Sequence, residues 1–219
     1  MKTIEKNFEK GFVRLIPENF LDLWHLSKII EVKDRITART TRNIFVEREG
    51  KKEKSRKVAL VLSLEVEKVE LEKNKLRIKG KIVEAPEEVQ KGSYHTIEIL
   101  IGNSFTLEKK EWKKEQVEKI EKLTKRIKKA TSLKEFFVHI NKLDGLAIYG
   151  LEEVRNAALI GAIKILFVPL ENLSEKIEEV IEEVEKKGGE IEFVSEKEEL
   201  GKKFLKEHGI GAILRFKIS

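Results

Sequence analysis

The sequence predicts a two-part protein: an α+β half built on a small, strongly curved sheet or barrel, followed by an α/β half. Three observations carry this. Residues 35–110 follow the period-two pattern of strands, residues 146–219 alternate strand with helix, and the charge changes sign near residue 130. Residues 1–130 hold 32 Lys and Arg against 22 Asp and Glu, whereas residues 131–219 hold 13 against 17.

In chain order, the extended segment Gly11–Ile16 precedes Pro17, which opens a helix over about 18–31 with Glu18 and Asp22 in its first turns. Phe20, Leu23, Trp24, Leu26, Ile29 and Ile30 give that helix one apolar side, which belongs against a core. Strands are expected at 35–48, 75–83, 94–101 and 104–109, and most clearly where Val58, Leu60, Leu62, Leu64 and Val66 alternate. Turns fall at Glu49-Gly50, Lys73-Asn74 and Gly102-Asn103. A highly charged helix at about 111–129 has only the thin stripe Val117, Ile120, Leu123 and Ile127, which suits a connector. Ser132 with Glu135 reads as a capping box for a helix holding Leu133, Phe136, Phe137 and Ile140, closed by Asp144-Gly145.

The remaining chain alternates: strand 146–149, helix 151–159, strand 163–168, helix 174–187, strand 190–194, helix 197–207, strand 211–217. The helix at 174–187 is the best marked, with Ser174 as cap, Ile177, Val180, Ile181 and Val184 on one face, and Gly188 just past its end. Boundaries follow at 1–120 for the N-terminal domain, 121–148 for a helical bridge and 149–219 for the C-terminal domain.

Composition narrows the function classes. Of 219 residues 40% are hydrophobic, enough for a packed core, and 38% are charged against a usual value of about 25%. There is no Cys, and the single Met is Met1, so disulfides and thiolate chemistry are excluded. Many Lys and Glu with few oxidisable residues is the composition of a protein from a hot environment. The apolar runs are too short for a membrane helix, and MKTIEKNFEKG lacks the apolar core of a signal peptide, so a cytoplasmic protein without membrane attachment is expected. The basic first half suits a polyanion, the acidic second half a protein surface.

Three groups of residues could carry chemistry. Residues 39–57 hold eight bases, Arg39, Arg42, Arg48, Lys51, Lys52, Lys54, Arg56 and Lys57, against three acids, on two strand ends and a Gly-centred turn. Such a hairpin either inserts among phosphates or is simply a solvated face. The stretch Gly92-Ser93-Tyr94-His95-Thr96 offers aromatic rings for unpaired bases and small donors for phosphate or a 2′-hydroxyl. The alternative is a strand start in which Tyr94 and His95 simply alternate in and out of a barrel. Glu18 and Asp22, one helical turn apart, could share a divalent cation or merely complement the helix dipole. No other cofactor is suggested, and there is no Walker-type loop or Ser-His-Asp pattern. His25, His139 and His208 fall on helices and read as surface or satisfied core residues.

The stretches KNFEKGFVRLIPENFLDLWHLSKIIEVKDRITARTTR, KGSYHTIEI at 91–99 and EWKKEQVEKI at 111–120 resemble the N-terminal domain of the archaeal Pelota (Dom34) family. YGLEEVRNAALIGAIKILFV at 149–168, KKGGEIEFVS at 186–195 and GIGAILRF at 209–216 resemble its C-terminal domain. The resemblance implies an Sm-like barrel that enters the decoding site of stalled ribosomes and touches ribosomal RNA and messenger RNA through the two loops named above. It further implies a C-terminal domain with the fold of kink-turn-binding ribosomal proteins, facing the recycling ATPase and an elongation-factor-like GTPase. Pelota proteins resemble release factors in having a central domain, which is absent between these matches. Delivery by the GTPase, which that domain supports, is therefore expected to be weakened or lost. Gly188-Gly189-Glu190 is not the Gly-Gly-Gln of peptide release. The implied function is ribosome rescue and messenger surveillance; a divalent-metal endoribonuclease, with Glu18 and Asp22 as its nearest ligand pair, is the alternative.

Overall fold

The computed structural model describes residues 1–48, 51–87, 89–124, 132–170, 173–196 and 198–218, with backbone alone for 44–48 and 51–56. The chain divides into two compact units, Met1–Arg126 and Ile127–Ser219.

The first unit contains β1 (Lys2–Asn7), β2 (Phe12–Ile16), α1 (Phe20–Ile29), β3 (Arg35–Arg48), β4 (Lys51–Glu72), β5 (Lys75–Glu84), β6 (Tyr94–Leu100), β7 (Phe105–Glu108) and α2 (Lys114–Thr124). Its seven strands form one antiparallel sheet in the order β1-β2-β7-β3-β4-β5-β6, curled into a half-barrel. The inward residues are the alternating ones: Leu60, Leu62, Leu64 and Val66 of β4 meet Leu76 and Ile78 of β5, and Leu23, Leu26 and Ile29 of α1 join the same cluster. Each such side chain contributes about 1.5–3 kcal/mol on burial. Helix α1 starts one residue after Asn19, whose Oδ1 accepts the Asp22 N–H at 3.0 Å, so Asn19 and not Pro17 defines its entry.

Strand β1 was not expected. Its one aliphatic residue beyond Met1, Ile4, is 49% exposed, so an edge strand of this kind carries no apolar period to read.

The curl has a local cause at Gly80. A β-carbon there would collide with the Glu65 carbonyl oxygen and lie 3.3 Å from Val66 Cα, so β5 crosses β4 at a distance only glycine permits. Register shifts flank the crossing, between Ser63 and Leu64 and between Val66 and Lys68. Bulges of this type bend and twist the strand that carries them.

Close to this crossing, where the Asp34 carbonyl accepts the Val66 N–H at 2.8 Å, one buried cation ties four elements together. The Lys109 side chain is 1% exposed, and its Nζ lies 2.6 Å from Asp34 Oδ2 and 2.9 Å from Glu31 Oε2. Lys113 Nζ reaches Glu31 Oε1 at 2.6 Å, and Gln116 Nε2 donates to Glu31 Oε2 at 3.2 Å. The end of α1, the start of β3, the end of β7 and the start of α2 therefore share one charge-assisted network, in which the buried ammonium is paired as burial requires. The Lys113 and Lys109 ammonium groups hold the Glu31 carboxyl down at about 2, from an ordinary 4.5.

The second unit contains α3 (Leu133–Lys142), β8 (Ala147–Tyr149), α4 (Leu151–Leu159), β9 (Ile163–Pro169), α5 (Glu175–Lys186), β10 (Glu190–Val194), α6 (Glu199–Glu207) and β11 (Gly211–Leu214). The sheet order is β10-β9-β11-β8, with β10 parallel to β9 and β11 antiparallel to both its neighbours. Ile165 and Phe167 of β9 pack with Leu133, Phe136 and Phe204 from α3 and α6. Leu166 and Val168, pointing the other way along the same strand, are equally buried, and α4 and α5 cover that face with Val154, Ala157, Val180, Ile181 and Val184. The unit is thus a three-layer α/β/α sandwich. Phe136, Phe167 and Phe204 meet edge-to-face with centroids 5.2–5.9 Å apart.

The capping box expected at Ser132 and Glu135 does not form. Ser132 makes no side-chain cap bond, its N–H donates instead to Glu192 Oε2 at 3.0 Å, and Glu135 is drawn to Lys164 at 3.0 Å. The helix closes on Leu143 in the left-handed conformation, two residues before Gly145. Within 121–148, Leu123 is buried in the first unit's core and Leu133 and Phe136 in the second's, while residues 125–131 lie outside the described residues.

Two outcomes follow for stability. Gly80→Ala is expected to destabilise the first unit by about 1–3 kcal/mol, read from guanidinium unfolding, because the added carbon forces β5 away from β4. Glu31 carries a lower folded than unfolded pKa, so below 4.5 the unfolded chain takes up the proton first and stability falls as pH drops from 4.5 towards about 2. Urea midpoints measured across that window should fall less steeply for Glu31→Gln than for the unsubstituted chain.

Candidate nucleic-acid interface

Because the half-barrel curls, the start of β6 returns to the middle of β3 although two strands separate them in the sheet. Two hydrogen bonds close the gap: Arg42 Nη2 donates to Ser93 Oγ at 3.2 Å, and Thr40 Oγ1 bonds His95 Nε2 at 3.1 Å. The Ser93 hydroxyl donates its proton to the Gln90 carbonyl at 2.7 Å, which leaves its oxygen to accept from Arg42. Thr40 and Arg42 follow Ile36 and Ala38 on the inward side of β3, and His95 precedes Ile97 and Ile99 on the inward side of β6. The four polar residues therefore line one mouth of the half-barrel, just above its apolar filling.

This mouth suits an anion. Arg42 Nη1 is buried and has no hydrogen-bond partner among the described residues. A buried donor left so costs roughly 1–3 kcal/mol, which an incoming phosphate oxygen would relieve. Burial first, and the Arg42 charge second, push the His95 imidazole below its ordinary 6.5. At neutral pH His95 is consequently an uncharged hydrogen-bonding ring, suited to a ribose hydroxyl or a base edge, and Arg42 supplies the charge.

Tyr94, between Ser93 and His95, points outward and is 54% exposed. The two alternate across the strand as the barrel-strand alternative anticipated, and the structure sets which way: Tyr94 out and His95 in. On the outer face Lys79 and Lys81 of β5 each hold their Nζ 5.7 Å from the Tyr94 ring centroid. Thr40, Lys79 and Lys81 were missed in the sequence. The alternation of Lys75, Arg77, Lys79 and Lys81 with Leu76 and Ile78 was there to be read, but their approach to Tyr94 depends on the β5–β6 register, Lys81 opposite Tyr94.

Arg39 and Lys57 are exposed on the outer side of β3 and β4. The backbones of Arg48, Lys51, Lys52, Lys54 and Arg56 belong to the β3–β4 hairpin, in which Arg48 pairs with Lys51 and Ile44 with Arg56. Their side chains lie outside the described residues. The hairpin is the direct extension of the strand that bears Thr40 and Arg42, so the two separate sequence signals converge on one end of the half-barrel.

Glu18 and Asp22 do come together, but around an ammonium group. Asp22, 1% exposed, lies 2.8 Å from the Met1 α-amino nitrogen and accepts the Glu18 N–H at 2.8 Å, and Glu18 Oε2 lies 3.3 Å from the same amino group. Among the described residues no group of three or more His, Asp and Glu is placed to hold a metal ion. The pair expected as a cation site is therefore engaged by a charge already present. His139 is satisfied by Asp144, with Nδ1 and Oδ2 2.8 Å apart, and Gly188-Gly189 end α5, with the Gly189 N–H on the Val184 carbonyl at 2.8 Å. Among the described residues no helix is long and apolar enough to cross a membrane.

The description of the Pelota N-terminal domain matches residues 1–124, and that of eRF1 domain 3 matches residues 126–218. One residue separates the two matches, so the chain has no span for a domain between them. Among curated proteins it is similar to the protein pelota homolog of Staphylothermus marinus, 38% identical over 132 residues, 59% of this chain and 36% of that one. The chain spans less than half the length of the first curated relatives it matches. Among solved structures it is similar to Archaeoglobus fulgidus Pelota, with a TM-score of 0.72, 23% identity and 100% of each chain covered. It is also similar to an archaeal Pelota described as ribosome-bound with ABCE1, with a TM-score of 0.60, 22% identity and 100% of each chain covered. With its first 124 residues matching the family's N-terminal domain and its fold that of solved Pelota structures, the chain belongs to the Pelota family.

Proposed function

We propose that the protein is a ribosome-rescue and messenger-surveillance factor whose first unit binds RNA in the decoding site of stalled ribosomes. The observation that carries this is the convergence of the basic β3–β4 hairpin and the Ser93–His95 segment at one mouth of the half-barrel, through the Arg42–Ser93 and Thr40–His95 bonds. Family membership supplies the ribosome, and a related archaeal Pelota has been described bound to it together with ABCE1. Arg39, Arg42, Arg48, Lys51, Lys52, Lys54, Arg56 and Lys57 supply phosphate contacts, and Ser93, Tyr94 and His95 supply contacts to bases or sugars.

In this reading the acidic second unit recruits the recycling ATPase, since its charge suits a protein surface better than RNA. Delivery by the elongation-factor-like GTPase is not part of the reading, because the central domain that would support it has no place between residues 124 and 126. The action is non-enzymatic and cytoplasmic.

Reversing the charges of Lys51, Lys52 and Lys54 should weaken cosedimentation with ribosomes and flatten its log–log salt dependence by about 0.7–0.9 unit for each phosphate no longer neutralised. An unchanged slope and unchanged binding across a salt series would remove the hairpin from the interface.

A further inference from the structure

Within the first unit, Tyr94 is the one aromatic side chain among the described residues that stands mostly in solvent; Phe20, Trp24 and Phe105 are buried, and Phe8 and Trp112 pack against one another at 5.0 Å. An exposed ring on a strand gains nothing from the core. Its surroundings are also specific. Lys81 sits directly across from it in the β5–β6 ladder and Lys79 diagonally, both ammonium groups 5.7 Å from the ring centroid. Lys81 has Glu67 only at 3.9 Å, the outer limit of an ion pair, so its charge is not consumed locally. The residue before Tyr94 is Ser93, which holds Arg42 at the mouth.

We infer that Tyr94, Lys79 and Lys81 form a stacking site for one unpaired base of RNA, with the two ammonium groups on its flanking phosphates. The inference rests on the RNA-binding reading above and names what that surface selects. A flat ring accepts the face of any base, but only where the base is free of a helix, and the lysine ammonium groups held over the ring add charge without sequence preference. Single-stranded RNA is therefore preferred over duplex here. The mouth residues Ser93 and His95 flank Tyr94 in the chain, about 3.3 Å along the strand, and turn to the inward side while Tyr94 turns out.

The test uses the full chain and a fluorescently labelled ten-residue oligouridylate, alone and as a duplex with oligoadenylate, with affinity read by anisotropy. Tyr94→Ala should weaken single-strand binding about fivefold or more while changing duplex binding little. Tyr94→Phe should restore it, because the ring and not the hydroxyl is what stacks. Lys79→Glu with Lys81→Glu should weaken both probes and lower the salt dependence. Thermal unfolding of Tyr94→Ala should coincide with that of the unsubstituted chain, since the side chain is exposed.

Equal losses on single strand and duplex, no loss on single strand, or no binding of the single strand by the unsubstituted chain would each overturn the stacking site. Should hairpin charge reversal weaken ribosome binding while Tyr94→Ala leaves single-strand affinity intact, the stacking site falls and the ribosome reading stands. Should the unsubstituted chain fail to sediment with ribosomes while Tyr94→Ala loses single-strand affinity, the reverse holds.

Discussion

At Gly80 the backbones of β4 and β5 come so close that a single β-carbon would strike the Glu65 carbonyl. That one approach, with the register shifts on either side of it, bends a long antiparallel ladder into a half-barrel. A flat sheet of the same strands would leave β3 and β6 three inter-strand spacings apart, roughly 14 Å at the usual spacing. The bend lets Arg42 reach Ser93 and Thr40 reach His95, and thereby makes one surface out of two segments some fifty residues apart. The mouth is a consequence of backbone geometry before it is a matter of charge.

The unit is also governed by the ammonium of Lys109. Buried between Asp34 and Glu31, it forces the end of α1, the ends of β3 and β7 and the beginning of α2 to meet. Pairing a buried charge is weak as a source of net stability, because desolvation offsets most of the attraction, but any arrangement that separated these elements would strand the charge. The network thus acts as a specification of topology, holding α2 against the sheet whose far rim bears the basic hairpin. The two devices act by different physics, sterics at a glycine and electrostatics at a buried ammonium, and they adjoin at Val66, which pairs with Gly80 and donates its N–H to the Asp34 carbonyl at 2.8 Å.

Much of this was legible in the sequence. In the second unit every strand and helix fell within a few residues of its expected place, because alternation of apolar runs with amphipathic periods is a strong local signal, sharpened by Ser174 and Gly188 at the ends of α5. The basic hairpin and the Ser93–His95 segment were also legible as candidates, through composition. What could not be read was their meeting, since it depends on the curl, and the partners Lys79 and Lys81, since they depend on register. Strand β1 was invisible because an exposed edge needs no apolar face. The capping box at Ser132 does not form because it was judged from its own segment, while Glu192, distant in sequence, takes the Ser132 N–H; in the same way the Met1 ammonium beside Glu18 and Asp22 could not be read from their own helix.

The charge division noted in the sequence coincides with a division of fold, a basic half-barrel followed by an acidic three-layer sandwich, and the proposed function assigns RNA to the first and protein partners to the second. The central claim is that the mouth, and not the second unit, faces RNA. It is tested most directly by placing a photoreactive amino acid at Lys57, beside the hairpin on the outer side of β4, and separately at Glu179 on α5, then irradiating complexes with stalled ribosomes. The account predicts cross-links to ribosomal or messenger RNA from position 57 and none from position 179; RNA cross-links from position 179 with none from position 57 would contradict it.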